Sequence, residues 1–251
     1  MTAKAPVIMV HGAFCGGWAF EAFKAPFEAA GHRCLTPDLR PNGQAAGMSM
    51  GDYAASVAAL IQAQDHPPIL IGHSLGGLVA QMAAVRAAVG GLILLAPSAP
   101  WGVTGGSVEE AASAVSLYAL GPYWLQAIEP DFTTASSYSL DRMSPDQRKA
   151  VFGRMTAESG RALWETLNWW MDPFLTTTVS PGRIAAPVLA VAGGQDRVHP
   201  SFTVKQTGER LGAELMVFPQ MSHWLVAEPG WPEVAAACLK WIVRQAAVTA
   251  P

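Results

Sequence analysis

The stretch Pro68-Ile69-Leu70-Ile71-Gly72-His73-Ser74-Leu75-Gly76-Gly77-Leu78-Val79-Ala80-Gln81-Met82-Ala83-Ala84 runs from a short apolar segment, through one serine flanked by glycines, into a helix-forming segment. It reads as a buried strand, a forced sharp turn and a helix. A serine in such a turn sits in a strained backbone conformation, and glycines two residues before and after it let strand and helix approach closely. The strain lifts Oγ clear of the sheet, with a helix N-terminus behind it to favour developing negative charge. Gly72-x-Ser74-x-Gly76 in this context reads as a nucleophile elbow.

Apolar runs alternate with helical patterns on both sides of this stretch, which predicts a mainly parallel sheet covered on both faces. Predicted strands are Val7-Ile8-Met9-Val10, Arg33 to Thr36, Gly91 to Ala96, Pro187 to Ala192 and Glu214 to Phe218. Predicted helices run from Trp18 to Ala30 with Gly31 as the stop, from Tyr53 to Gln64 with Asp52 as N-cap, from Phe202 to Leu211 and from Pro232 to Ala246. Residues 38 to 51 read as a loop. The alternation breaks between Ser98 and Arg183, which has helical patterning and no convincing strand. The expected organisation is therefore a core of residues 1–97 and 184–251 with a helical cap, 98–183, inserted in it.

Composition bounds the partners. The chain has 251 residues, 51% of them hydrophobic and 14% charged, with a net charge of −3 and no basic run, so neither nucleic acid nor an anionic membrane surface is expected. No apolar stretch is long enough to span a bilayer. Met1-Thr2-Ala3-Lys4-Ala5-Pro6 leads into the first strand without room for a secretion signal, so a cytoplasmic chain is expected. Cys15, Cys34 and Cys238 are odd in number and widely spaced, as for reduced thiols. No nucleotide or metal motif is present, and no cofactor or metal is expected. A small-molecule substrate is expected, and a homodimer is left open.

A serine hydroxyl needs a base, and the base needs an orienting acid. His223, in Pro219-Gln220-Met221-Ser222-His223-Trp224, follows the last predicted strand; Asp196, in Gly193-Gly194-Gln195-Asp196-Arg197, follows the strand before it. Strand ends are where an open α/β sheet places its site. His73 should point away from Ser74, His11 should fix loop backbone, and His199 lies too close in sequence to Asp196 to align; His32 and His66 read as solvated. The oxyanion donors should be the amides of Leu75 and of Ala13, with Phe14 as second choice, in the loop His11-Gly12-Ala13-Phe14-Cys15-Gly16-Gly17-Trp18.

These motifs together resemble the α/β-hydrolase superfamily over nearly the whole chain. The first-strand loop and Gly72-His73-Ser74-Leu75-Gly76-Gly77 look like the small capped carboxylesterases, including the plant methylesterase and hydroxynitrile lyase group. The resemblance implies Ser74, Asp196 and His223 as a catalytic triad and Ala13 and Leu75 as oxyanion donors. Lyases of that group carry a lysine directly after the histidine, where this chain has Trp224. Relatives that displace at carbon carry aspartate at the elbow, where this chain has Ser74. Hydrolysis of a small apolar or aromatic ester or lactone is expected. Carbon-carbon bond hydrolysis, metal-free perhydrolysis and a ligand receptor on a hydrolase scaffold are the alternatives. The aromatics of the 98–183 segment predict an apolar pocket roof, with Phe14, Trp101, Trp124, Trp164 and Trp224 as substrate contacts and no obvious arginine clamp beyond Arg142, Arg154 and Arg161.

Overall fold

A computed structural model describes residues 4–40, 43, 45–104 and 107–249. Met1-Thr2-Ala3 of the N-terminal reading, Pro41, Asn42 and Gln44 of the predicted 38–51 loop, and Gly105 and Gly106 of the inserted segment lie outside the described residues.

Six parallel strands form the central sheet: β1 (Val7–Val10), β2 (Cys34–Leu35), β3 (Ile69–His73), β4 (Gly91–Leu95), β7 (Val188–Gly193) and β8 (Glu214–Phe218), in the spatial order β2-β1-β3-β4-β7-β8. Alternating side chains feed two cores. Val7, Met9, Ile69, Ile71, Ile93, Leu95, Leu189 and Val191 face one side, against Phe20, Phe23, Phe27 and the long helix α9 (Trp231–Thr249). Ile8, Val10, Leu70, Leu92 and Leu94 face the other, against α2 (Met50–Gln62) and α3 (Leu75–Ala84). Strands buried on both faces must be apolar at every position, which is why they read as continuous runs. α8 (Ser201–Arg210) covers Ala190 and Ala192 through Val204.

The helix expected over 18–30 is broken into a 3-10 turn, Gly17–Phe20, and a short α1 (Ala25–Ala29), with Pro26 at its start. Gly31 follows it at φ 89°, the left-handed stop that glycine supplies. β2 is shorter than its sequence signal. The N-cap of α2 is Ser49, not Asp52: Asp52 is the third helical residue and closes a capping box, its carboxylate accepting from the Ser49 amide while Ser49 Oγ accepts from the Asp52 amide.

Between β4 and β7 the chain leaves the sheet for α4 (Val108–Leu117), α5 (Phe132–Thr134), which continues into a π-turn over Ala135–Ser139, α6 (Pro145–Phe152) and α7 (Gly160–Leu167). It also holds a strand pair that the sequence reading did not find. β5 (Ala127–Ile128) and β6 (Glu158–Ser159) join antiparallel, with Ile128 opposite Glu158. Two-residue strands leave no periodicity to detect.

The chain moves outward from β1 to β2 and then returns to place β3 on the other side of β1. A crevice opens where the strand order reverses, beyond the carboxyl ends of β1 and β3. Val10 pairs with Gly72 there, so the loop after β1 and the turn after β3 leave the sheet side by side.

Candidate active site

Ser74 occupies the turn between β3 and α3 at φ 55° and ψ −125°, a conformation that non-glycine residues rarely adopt. Three backbone bonds hold it there: its amide donates to the Leu95 carbonyl (3.0 Å), and its carbonyl accepts from Gly77 (2.8 Å) and Ser98 (3.0 Å). The glycines are required by distance. A Cβ on Gly72 would lie 2.3 Å from the Gly76 carbonyl oxygen, and one on Gly76 would lie 2.3 Å from the carbonyl oxygens of Val10 and His11.

Ser74 Oγ donates to Nε2 of His223 (2.9 Å), and His223 Nδ1–H donates to Oδ2 of Asp196 (2.9 Å). All three residues are buried. The other oxygen of Asp196 accepts from the amides of Val198 (2.8 Å) and His199 (2.9 Å), so the carboxylate is fixed at both ends. Burial pushes against charge on Asp196, but His223 and the bonds to it outweigh that and hold the carboxyl below its ordinary range. Burial likewise disfavours imidazolium at His223, and the Asp196 charge and hydrogen bond outweigh it, raising His223 above its ordinary value. An ordinary alcohol thus stands in line with a base of increased strength.

The other histidines are occupied elsewhere. His73 makes no hydrogen bond to Ser74: its Nε2–H donates to the main-chain carbonyl of His223 (2.8 Å). Burial lowers its pKa to about 3. His199 donates through Nδ1 to the Ala96 carbonyl (2.8 Å), and burial, then His223, lower it to about 4. His11 donates through Nδ1 to the Gly12 carbonyl (2.9 Å) and accepts at Nε2 from the Leu39 amide (3.0 Å), the loop-fixing role expected of it. His32 is buried and bonded to the Ala5 carbonyl (2.8 Å), not solvated as its turn-like sequence implied. Cys15 is inert as a thiol: burial pushes it up to about 12, and its Sγ–H donates to the Ala13 carbonyl.

A cavity of about 260 Å³ adjoins Ser74, with Ala13, Leu75 and His223 in its wall. Among the described residues the amides of Ala13 and Leu75 meet no acceptor, Leu75 because it opens α3. The amide of Phe14, the second-choice donor, is committed to Glu158 Oε2 (3.1 Å).

Phe14 and Trp224 line the cavity; Trp101, Trp124 and Trp164 do not. Those three pack the inserted segment together instead. Trp101 meets Trp169 edge-on at 5.6 Å, and Trp124 lies between Tyr123 (5.7 Å) and Trp164 (6.3 Å). Arg142, Arg154 and Arg161 also lie outside the lining, whose charged side chains are all carboxylates: Glu109, Glu110, Glu129 and Asp131. Burial, then the Asp196 charge, push Glu110 up to about 7.

Three supporting residues escaped the sequence reading. Arg40 and Glu158 pair in the buried interior, and Glu228 Oε1 accepts from the Ser222 amide (2.5 Å) to steady the loop that carries His223. Each sits in unremarkable local sequence, and only the tertiary contacts mark them. Among the described residues no group of three or more potential ligands is placed to hold a metal, and no helix is long and apolar enough to cross a membrane.

The comparisons agree with this architecture. A methylesterase from Arabidopsis superposes with a TM-score of 0.73 over 96% of this chain and 99% of its own, at 16% identity. The monoacylglycerol lipase of Paleococcus ferrophilus gives 0.71 over 96% of both chains, at 20% identity. At such identities the likeness is one of fold. In sequence, the chain is 38% identical over 78 residues to a carbendazim-hydrolysing esterase from a Nocardioides species, covering 29% of this chain and 32% of the relative. It is 36% identical over 88 residues to methylesterase 3 of Arabidopsis thaliana, covering 32% and 34%. The chain thus spans about a third of the length of these curated relatives. The alpha/beta hydrolase family model matches residues 7–237, and the chain belongs to that family.

Proposed function

We propose that the protein is a serine hydrolase that cleaves a small, predominantly apolar carboxylic ester or lactone through an acyl-enzyme, with Ser74, His223 and Asp196 as its catalytic triad. The observation that carries this reading is the unbroken chain from Ser74 Oγ through His223 to Asp196, at 2.9 Å for each link, on the wall of a cavity that two undirected amides share. Esterase names among the partial sequence relatives support the same reaction class.

In this reading Ser74 Oγ attacks the ester carbonyl carbon as its proton passes to His223 Nε2. The carbonyl oxygen becomes an oxyanion held by the amides of Ala13 and Leu75. Asp196 keeps Nδ1 protonated and offsets the imidazolium charge. The tetrahedral species collapses, the bond to the alkoxy oxygen breaks, and His223 returns its proton to the departing alcohol. A water then gives its proton to the same nitrogen and attacks the acyl carbon; collapse breaks the bond to Ser74 Oγ, which takes the proton back from His223 Nε2, and the carboxylic acid leaves. The segment between β4 and β7 acts as a cap that roofs this site and limits water. Aliphatic side chains, Leu117, Ile128, Leu163 and Leu167, supply the apolar surface that the tryptophans were expected to supply.

The test is turnover of activated esters of graded acyl length by wild type and Ser74→Ala. Steady turnover in wild type and a fall of several orders of magnitude in Ser74→Ala are expected. Near-native turnover by the variant would overturn the mechanism, and a single stoichiometric acylation by wild type would favour a receptor.

A further inference from the structure

The proton relay makes no use of Glu158, yet this carboxylate touches the oxyanion loop directly. It is fully buried and comes from β6, in the inserted segment. Its Oε2 accepts the Phe14 amide (3.1 Å) and pairs with Arg40; its Oε1 accepts the Tyr53 hydroxyl (2.7 Å) and the Ser159 amide (2.8 Å). Two residues earlier, the Thr156 amide donates to the Phe14 carbonyl (2.9 Å). Arg40 also reaches the Cys15 carbonyl. Phe14 is therefore gripped at both of its peptide groups by the chain entering β6.

That grip matters because Phe14 holds φ 62°, which a residue with a Cβ adopts only where its surroundings enforce it. The neighbouring peptide, Gly12 to Ala13, is fixed from the other side by His11 Nδ1–H on the Gly12 carbonyl. A planar peptide whose carbonyl is held has its N–H direction set as well. Ala13 thus lies between two clamped peptides, one anchored in the core and the other in the inserted segment.

We propose that Glu158 is a positioning residue for the oxyanion hole: charge-paired to Arg40, it holds Phe14 in its left-handed conformation and, together with His11 at the Gly12 carbonyl, keeps the Ala13 amide aimed at the developing oxyanion. The assignment rests on the hydrolase reading of Ser74. It makes oxyanion stabilisation conditional on the seating of the inserted segment, since any displacement of β6 withdraws Glu158 and Thr156 from the loop together. Removal of a single oxyanion donor costs about 10²- to 10³-fold in turnover, and a displacement of about 1 Å can cost about 10²-fold.

The experiment compares wild type, Glu158→Gln and Thr156→Pro. Thr156→Pro removes one donor to Phe14, and with it the Thr156 hydroxyl that accepts from Arg40, while keeping both members of the Arg40–Glu158 pair, so it tests the grip on Phe14 if Glu158→Gln does not fold. The expected result is a fall in kcat of about tenfold or more with KM within about twofold. A trifluoromethyl ketone, which forms an oxyanion on Ser74, should lose affinity in the same proportion while a product acid does not. Hydrogen exchange of the amides in residues 12–16 should quicken. Unchanged kcat in a folded variant overturns the proposal, as does an equal loss of affinity for the ketone and the acid. If wild type shows no Ser74-dependent ester turnover, the hydrolase reading fails separately; unchanged exchange at residues 12–16 would then overturn the clamp and quickened exchange would uphold it.

Discussion

His223 is a buried imidazole asked to carry charge, and burial alone would make it too weak a base. Asp196 reverses that, and the direction of the shift sets a pH dependence. Only neutral His223 can accept the Ser74 proton, so kcat/KM should fall as pH drops through the raised pKa, with an acid limb above the ordinary imidazole value of 6.5. His73 and His199, lowered to about 3 and about 4, should add no limb near neutrality. Asp196→Asn removes the charge and leaves burial as the dominant influence. Its kcat should fall by about 10³- to 10⁴-fold, and the limb of its residual activity should move to lower pH. A pH–rate profile of both proteins checks this, and an unmoved limb would mean that Asp196 does not set the basicity of His223.

At the level of the elements, the elbow depends on main-chain proximity that no side-chain rearrangement can relieve. Gly76→Ala would force α3 away from the ends of β1, because its new methyl would meet carbonyl oxygens at 2.3 Å. A loss of about 1–3 kcal/mol or more is expected in denaturant unfolding, with activity falling further than stability because Ser74 and Leu75 ride on the same turn. Gly182→Ala, with nothing within 4 Å of the new methyl, should be neutral and serves as the control. The same strictness explains what the sequence made legible. Fully buried strands must be apolar throughout, and the elbow must carry its glycines, so β3, α3 and the end of β7 announce themselves locally, while the edge strand β8 is marked by its β-forming residues alone. The N-cap read at Asp52 belongs to Ser49, because Ser and Asp suit that position equally well and local sequence does not choose between them. The β5–β6 pair, Arg40 and Glu158 could not be read at all, since each acquires its meaning from a partner far along the chain. The tryptophans of the inserted segment were visible as a group, but composition does not say which way a ring points.

Across the whole molecule the cavity draws its wall from both the sheet's crevice and the inserted segment, and its charge is one-sided. Its carboxylates are only partly neutralised: Glu109 pairs with Arg197 (2.7 Å), and Asp131 caps Thr134 (2.7 Å). Glu110 is the carboxylate of the lining whose state changes near neutrality. Burial and the charge of Asp196 push it up to about 7, so it is neutral below that pH and negative above it. An ester bearing a free carboxylate should therefore become a poorer substrate, relative to a neutral isostere, as pH rises through about 7. At an effective dielectric near 20, one added charge about 10 Å away corresponds to about 1.7 kcal/mol, more than tenfold. Taking the ratio of the two kcat/KM values cancels the His223 limb, because both substrates need the same base. Glu110→Gln should flatten that ratio across pH and, because Glu110 and His223 interact, shift the limb of both substrates equally to lower pH. The same field would favour departure of the carboxylate product once the acyl-enzyme is hydrolysed, so product inhibition should weaken above pH 7 in wild type and keep only the His223 contribution to its pH dependence in Glu110→Gln. A ratio independent of pH in wild type would mean that the charge of Glu110 does not reach the bound substrate.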